Sequence, residues 1–408
     1  MTWLVVIVGL LLLVFLHELG HFSAALAVGV RPRSFYIGFP PALAKVQRKG
    51  IEYGIGAIPL GGYVRIPGMH RPAGRDFAAF MSSALHEDAA LAAPVQRIRR
   101  WLDDDDYNGA REAVPELKHA LEQASLSPAA RRSADRALRE VDEGTGLDAY
   151  WRQPTWKRIA VIAAGPAMNI LVAFLLFFVL FATGAPSGNP STKVAQVEAG
   201  TPAAAAGLHA GDRIFGVNGR RVRTFDQASA RIRASHGRPI RVTVERDGRR
   251  LTLGPRPTIR SGDRYIWGFG VATALRSYPL GTSARKAVGE SWGVVDGTAG
   301  AFAGLTHAHE RAQLSGPVGI VRASAQALRV GWSWYLELLA VISMSLALFN
   351  LLPLLPLDGG HILFSLIEAF RRRSVAREVY ERVSVAGMLL ILVVFFIALN
   401  NDTSHVFR

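Results

Sequence analysis

The 408-residue sequence contains no cysteine. It can form no disulfide, and a transition-metal site would need histidine and carboxylate ligands instead of thiolates. Charged side chains are also scarce, at 19% of the residues, and four stretches of at least 17 residues contain none. Half of the residues are hydrophobic and the mean hydropathy is +0.20. These features exclude a purely soluble protein and are typical of a membrane unit joined to soluble parts.

Basic side chains outnumber acidic ones, with 47 Lys and Arg against 32 Asp and Glu, which gives a net charge of +15. A nucleic-acid-binding surface of the single-strand type would set aromatic residues among the basic ones, and that interleaving is lacking here. The basic residues accompany the polar segments, so we expect them to contact anionic lipid headgroups. No nucleic-acid partner is expected.

The first apolar stretch contains the pattern H-E-x-x-H at His17, Glu18 and His21. On a helix, two histidines four apart project from one face and can hold one zinc ion, while the glutamate can accept a proton from water. Apolar side chains dominate 4–16 and 22–30, so these groups lie in a segment long enough to cross a bilayer. Ionisable groups at that depth are costly and indicate a functional site. The competing interpretation is a helix end whose histidines face lipid headgroups.

Four apolar segments are predicted to cross the membrane, and the first lacks the basic region and cleavage site of a signal peptide. The predicted fold class is a membrane all-α core of four transmembrane helices, with a membrane-associated β-hairpin region and one inserted β-rich domain. The predicted segments are helix 1 over 1–30, the β-hairpin and re-entrant region over 31–70, a soluble cytoplasmic helical insertion over 71–155, helix 2 over 156–184, the β-rich domain over 192–273, an amphipathic membrane-surface segment over 280–331, helix 3 over 332–361 and helix 4 over 383–400.

Two polar features within these segments have competing interpretations. Asn169 is a polar residue of the second apolar helix and follows Gly165-Pro166. The simpler interpretation is a kink with one interhelical hydrogen bond, and the functional one places Asn169 near the metal site. In the insertion, the acidic run Asp103–Asp106 is predicted to be a solvated turn or helix start, not a metal site.

The end of the hairpin region, Ile58-Pro59-Leu60-Gly61-Gly62-Tyr63-Val64, is apolar but interrupted by proline and glycine. Such a segment cannot cross a bilayer as a free helix, because its backbone groups would be unsatisfied. It can lie beside the active site if protein covers its backbone.

Arginines in the connection between the third and fourth spans determine the predicted orientation. Because positive side chains concentrate in short cytoplasmic loops, both termini and the β-rich domain are predicted to lie outside the cytoplasm. The zinc motif then lies towards the cytoplasmic side of the first span. The arginines are Arg371, Arg372, Arg373, Arg377 and Arg382.

Turn glycines between short apolar strands mark the β-rich segment. Residues 207–219 match the pattern G-L-x-x-G-D-x-I-x-x-V-N-G at every fixed position. Because of this pattern, the segment resembles a PDZ domain of the bacterial kind. PDZ domains bind a peptide as an added strand, so the resemblance implies a peptide C-terminus as a partner. The alternative is a β-domain that acts only as a steric filter.

Taken together, the motifs make the chain similar to the site-2 protease family of intramembrane zinc metalloproteases, and most like its bacterial members with an inserted PDZ domain. The resemblance covers the chain except for 71–152. The last motif departs from the family's more compact P-x-P spacing, since Pro353 and Pro356 are three apart. The motifs are H-E-x-x-H, P-L-G-G-Y-V at 59–64, A-G-P-x-x-N at 164–169, the PDZ pattern, G-P-V-G-I at 316–320 and N-x-x-P-x-x-P-x-D-G at 350–359.

The resemblance implies a set of site residues. His17, His21 and Asp358 would bind one zinc ion per chain, and Glu18 would be the catalytic base. His361 is the next candidate ligand, and the simpler interpretation is a loop histidine or one that supports a ligand. Substrate contacts are expected from Asn350, Pro59, Leu60, Gly61, Gly62, Tyr63 and Asn169.

The function implied is hydrolysis of a peptide bond within or near a transmembrane helix of a single-span membrane protein, such as an anti-sigma factor or another regulator. The enzyme would reside in the bacterial inner membrane, and its PDZ-like domain would exclude substrates whose outer domain is untrimmed. One alternative is a catalytically inert scaffold that binds peptides through that domain, and an intact Glu18 argues against it. A metal transporter would need a continuous polar path, which the second and fourth spans do not offer.

Overall fold

The computed structural model describes residues 1–261, 264–304, 316–375 and 377–404. The chain divides into two compact units, Met1–Phe177 with Val288–Arg408, and Phe178–Ala287. Four helices in the described residues are long and apolar enough to cross a membrane, which agrees with the number of predicted spans. They are Thr2–Val28, Thr155–Thr183, Trp332–Asn350 and Glu378–Asp402.

The first unit begins with helix α1 (Thr2–Val28), which is apolar on all sides, as a membrane-crossing helix is. It ends at Gly29, whose left-handed backbone (φ 87°) lets its N–H bond to the carbonyls of Ala25 and Leu26. The HExxH motif therefore lies in the last third of α1.

A small sheet follows α1, formed by strand β1 (Ser34–Arg48) and antiparallel strand β2 (Ile51–Arg65). Both strands bend, so the start of β1 at 34–37 pairs with 52–55 on one side and with 62–65 on the other. Segment 62–65 is thus an outer segment, and among the described residues it pairs on one side only. The predicted hairpin region is a folded-back sheet.

Residues 74–145 form a separate helical bundle. Helices α2 (Gly74–Glu87), α3 (Ala92–Asp103), α4 (Tyr107–Gln123) and α5 (Pro128–Thr145) share an apolar core that includes Met81. The Asp106 carboxylate accepts hydrogen bonds from the backbone of Asn108 at 3.1 Å and Gly109 at 2.9 Å, so it caps α4. The acidic run is therefore a turn and helix start, as predicted.

Helix α6 (Thr155–Thr183) leads into the second unit, which contains the β-rich segment. Its elements are β3 (Ala185–Val197), α7 (Pro202–Ala205), β4 (Arg213–Val217), β5 (Arg220–Arg221), α8 (Phe225–Arg233), β6 (Pro239–Arg246), β7 (Arg249–Pro257), β8 (Ile259–Ser261), β9 (Arg264–Ile266) and β10 (Phe269–Arg276). A sheet with strand order β10-β3-β4-β6-β7 packs with α8 around a core that includes Ile214, Val244 and Trp267.

Five helices complete the described chain. The predicted third span over 332–361 is divided, because the helix ends at Asn350 and a turn over 351–357 precedes the next helix. The helices are α9 (Leu280–Gly304), α10 (Pro317–Val330), α11 (Trp332–Asn350), α12 (Asp358–Arg371) and α13 (Arg377–Ser404).

The G-P-V-G-I motif lies at the start of α10, where it meets the end of α13. Asp402 accepts hydrogen bonds from the backbone N–H of Gly316 at 3.0 Å and of Gly319 at 2.8 Å. These amides belong to the first turn of α10, which has no partner within its own helix. A carboxylate from another helix therefore caps α10 and joins it to α13.

Candidate zinc centre

Three side chains from two distant parts of the chain converge inside the first unit. His17 and His21 lie one turn apart on α1, and both are buried. Their Nε2 atoms are 3.2 Å apart. Asp358, the first residue of α12, places Oδ2 at 3.3 Å from Nε2 of His17 and at 3.4 Å from Nε2 of His21. One carboxylate oxygen and two imidazole nitrogens thus form a nearly equilateral triangle.

This triangle has the dimensions that zinc requires. Tetrahedral zinc with ligand bonds of about 2.0–2.1 Å separates its ligand atoms by about 3.3 Å. Oδ2 of Asp358 is buried and has no hydrogen-bond partner in the described structure, which is costly for a carboxylate oxygen. A cation at the centre of the triangle would satisfy it. The residues therefore fit zinc with His17, His21 and Asp358 as ligands.

Each histidine is oriented by a contact to α6. Nδ1 of His21 donates to the backbone carbonyl of Val161 at 2.9 Å, which leaves Nε2 free for the metal. Nδ1 of His17 lies 3.2 Å from the amide nitrogen of Asn169. The amide oxygen of Asn169 is buried and has no hydrogen-bond partner among the described residues. With zinc on Nε2, Nδ1 of His17 keeps its proton, so the Asn169 amide oxygen must turn towards it. That rotation would satisfy Nδ1 of His17 and the amide oxygen of Asn169, and Asn169 would then orient His17.

The position of Asp358 depends on the two glycines that follow it. A side chain at Gly359 would place Cβ 2.2 Å from the carbonyl oxygen of Leu351, and one at Gly360 would come within 2.5 Å of the backbone nitrogen of Leu355. The turn over 351–357 therefore folds directly against the start of α12. Only glycine allows this close approach, which explains the D-G-G sequence.

A close crossing of α1 and α6 also depends on glycine. Cβ at Gly20 would lie 2.4 Å from the carbonyl oxygen of Ala164, and Cβ at Gly165 would lie 2.2 Å from Nε2 of His21. Small residues at such crossings let membrane helices approach closely. From the sequence, no role in the site was predicted for Gly165. The A-G-P-x-x-N motif contained that signal, but its meaning depends on which helix faces it.

Glu18 lies between the zinc ligands and the sheet. Cβ at Gly62 would lie 3.0 Å from Cγ of Glu18, and the backbone N–H of Val64 is directed at the Glu18 carboxylate. Tyr63, between them, stacks on Tyr36 with ring centroids 5.2 Å apart. The outer segment of β2 thus runs along the side chain predicted to be the base.

The remaining predicted site residues have less defined places. Gly61 has a left-handed backbone (φ 148°) beside the ring of Phe39, and Asn350 is the half-buried last residue of α11. Pro59 and Leu60 belong to β2, but their side chains lie outside the described part of the structure. Substrate contacts by these residues stay predictions.

His361 is not part of the triangle. Its Nδ1 is hydrogen-bonded to the hydroxyl group of Tyr380 in α13. Within the described residues, the cluster able to hold a metal consists of His17, His21 and Asp358. Asp358 is therefore the better candidate for the third ligand, and His361 connects α12 to α13.

The HExxH motif of α1 and an aspartate from a later helix meet among membrane-crossing helices. This arrangement is typical of a membrane-embedded zinc metalloprotease. The model of peptidase family M50 matches residues 5–394 of the chain. The chain belongs to this family, the site-2 protease family, and its cofactor is zinc.

Named relatives agree with this assignment along nearly the whole chain. The protein Atu1380 of Agrobacterium fabrum is 33% identical over 98% of this chain and 94% of its own length. Metalloprotease MmpA of Caulobacter vibrioides is 30% identical over 99% of this chain and 96% of its own. Zinc metalloprotease RasP of Geobacillus kaustophilus is 29% identical over 97% and 96%.

Proposed function

We propose that this protein cleaves a peptide bond within or near a transmembrane helix of a single-span membrane protein, such as an anti-sigma factor or another regulator released by intramembrane proteolysis. One observation carries the proposal. Glu18 lies beside zinc ligands in a membrane-crossing helix and also contacts an outer strand segment of the β1–β2 sheet. A hydrolytic centre and a surface that can hold an extended peptide therefore occur together in the membrane.

Strand addition would present the substrate to the site. An intact helix hides its carbonyl groups in internal hydrogen bonds, so the substrate must unwind before hydrolysis. Segment 62–65 pairs with 34–37 on one side, and the N–H of Val64 on the other side is directed at Glu18. An unwound substrate added to this edge would have its backbone fixed next to the catalytic base.

The chemistry divides between the metal and the side chains. Zinc held by His17, His21 and Asp358 would polarise the scissile carbonyl group and make water a stronger acid. Glu18 accepts the proton from the attacking water and donates it to the nitrogen of the leaving amine. Asn169 and the carbonyl of Val161 keep the two imidazoles in the orientation that leaves Nε2 for the metal.

We further propose that the second unit is a PDZ-like domain that filters substrates outside the cytoplasm, with the zinc site towards the cytoplasmic side of the bacterial inner membrane. Support comes from the turn pattern at 207–219 and from the arginines around Arg372. Reporter fusions should place Arg372 in the cytoplasm and Asp212 outside. A cytoplasmic Asp212 would overturn both the orientation and the filter.

The substrate class is tested by comparing membranes from cells that produce the wild-type protein with membranes from cells that produce Glu18→Gln. New protein termini within or next to single transmembrane helices should occur only with the wild-type protein. If the two membranes contain the same termini, or if the differences fall in soluble domains, the proposal fails.

A further inference from the structure

The net charge of the protein is concentrated in the second unit. Residues 178–287 contain 18 Lys and Arg against six Asp and Glu, which gives +12 of the +15 carried by the whole chain. From the sequence we expected the basic residues to be spread over the polar segments. The division into units shows instead that most of the net positive charge lies in one unit. A net charge of this size in one small unit indicates an anionic partner.

Part of this charge lies together around Phe215 on β4 and beside α8. The ring of Phe215 contacts two guanidinium groups, with Arg221 at 4.8 Å and Arg250 at 3.8 Å from its centroid. Arg223 and Arg231 line an open concavity of about 550 Å³ together with Arg221. We name Arg221, Arg223, Arg231 and Arg250 around Phe215 the basic face.

The guanidinium groups of the basic face form no ion pairs with the described residues of the unit. None of them has an acidic partner within 4 Å among the described residues, although Glu245 is the cross-strand neighbour of Arg250. Arg246 differs, because it forms a two-point ion pair with Asp212. Arg231 donates to the carbonyls of Arg220 and Arg221, which holds the concavity open beside α8.

We propose that the basic face binds the phosphate groups of anionic phospholipids and docks the second unit on the bilayer that its own chain crosses. Guanidinium groups are weakly hydrated and bind phosphate oxygens in pairs, and stacking on Phe215 orders two of them in advance. Attraction to an anionic leaflet adds up over neighbouring arginines and extends about one Debye length from the surface.

The chain connection favours a lipid surface over other anions. Strand β3 begins two residues after α6 ends at Thr183, and Tyr278, after β10, donates its backbone N–H to the carbonyl of Phe181 in α6 at 2.9 Å. The unit is therefore tethered next to headgroups at high effective concentration. A single-stranded nucleic acid would need an open aromatic face for base stacking, and arginines cover Phe215.

Docking would act on the proposed protease by fixing where its filter rests. Docking is separate from the zinc chemistry, because none of the residues of the basic face lies in the first unit. Loss of lipid binding should therefore leave zinc content unchanged, so failure of this proposal and failure of the proposed function can be told apart.

The test uses the full-length protein in nanodiscs of phosphatidylcholine, with or without phosphatidylglycerol. Because the chain has no cysteine, Thr252→Cys on β7 can carry a single fluorophore. Spin-labelled lipid headgroups should quench it several-fold more strongly with phosphatidylglycerol present. The variant Arg221→Gln/Arg223→Gln/Arg250→Gln should lose most of that increase. Arg231 is left unchanged because it supports the backbone.

A matched control removes equal charge elsewhere in the unit, with Arg233→Gln/Arg238→Gln/Arg264→Gln, and should keep the increase. Equal loss in the control would overturn the basic face as the binding surface. Equal quenching in pure phosphatidylcholine would overturn anionic recognition. Release by inorganic phosphate, or by an acidic peptide, at matched ionic strength would show that an isolated anion or a peptide is the ligand, and would overturn docking on the bilayer.

Discussion

Gly165 packs directly against Nε2 of His21, the atom proposed to bind zinc. Gly165→Ala should lower zinc content and reduce cleavage at least tenfold, because the added methyl group would lie 2.2 Å from Nε2 of His21. Gly293→Ala is the matched control, since none of the described residues lies within 4 Å of a Cβ at that helical position. Zinc analysis and cleavage assays on both variants test this, and full activity of Gly165→Ala would contradict the described crossing of α1 and α6.

Asn169 should matter for the metal more than for the substrate. Removing an outer contact of a metal-bound histidine typically weakens metal affinity by about 10- to 100-fold. Asn169→Ala should show such a loss in a competition with a zinc chelator, and excess zinc should restore part of the cleavage rate. A variant with normal zinc affinity and a raised KM would instead return Asn169 to the substrate contacts expected from the sequence.

At the scale of single residues, the sequence alone predicted contacts within one helix better than contacts between distant segments. The spacing of His17 and His21 is a property of one helix, so the sequence predicted their shared face. Asp358 is 337 residues beyond His21 and was identified only through the resemblance to a family. The roles of Gly165 and Asn169 arise where α6 crosses α1. The A-G-P-x-x-N motif indicated a special position, but the spacing within one segment does not show which helix faces it.

Among the elements, the ion pair between Asp212, just before β4, and Arg246, the last residue of β6, should make the second unit sensitive to acid. Burial raises the pKa of Asp212, but the Arg246 guanidinium and the N–H of His209 lower the pKa by more than burial raises it. The pKa of Asp212 therefore lies below the usual value. A carboxylate with a depressed pKa stabilises the fold above its unfolded-state pKa of about 3.9, and this stabilisation is lost as pH falls through the folded-state pKa.

Asp212→Asn should therefore destabilise the unit at neutral pH and remove much of its pH dependence below about pH 4. Pepsin digestion of the second unit at successive acidic pH values measures this, with the exposed Asp226→Asn as control. If Asp212→Asn and the wild-type protein lose resistance along the same curve, the Asp212–Arg246 pair does not determine acid stability.

Elements were easier to predict than their boundaries. Apolar length identified four membrane-crossing helices, because a bilayer imposes a minimum span. The third predicted span was too long, since hydropathy continues through 351–357 while the prolines end the helix at Asn350. The pairing of 34–37 with two segments of β2 was not predictable, because β2 has to bend before 52–55 and 62–65 can lie on the two sides of 34–37.

For the whole molecule, the division into units allows the proposed filter to be removed without changing the proposed zinc ligands. Deleting 192–273 should leave zinc content intact and permit cleavage of substrates whose outer domains are untrimmed. Side-by-side cleavage of full-length and trimmed substrate measures this. If the deletion variant still does not cleave the full-length substrate, the filter proposal is wrong. A higher apparent KM for trimmed substrate would instead indicate that the domain recruits substrate by strand addition.

The central claim is that zinc held by His17, His21 and Asp358 acts with Glu18 as the base. The most direct test measures zinc content and cleavage in the same preparations of the wild-type protein, Glu18→Gln and Asp358→Ala. Glu18→Gln should retain one zinc ion per chain and lose about 10²- to 10⁴-fold in cleavage rate, because only the proton acceptor is removed. Asp358→Ala should lose both zinc and cleavage. Wild-type turnover by zinc-loaded Glu18→Gln, or full zinc and activity in Asp358→Ala, would contradict the account.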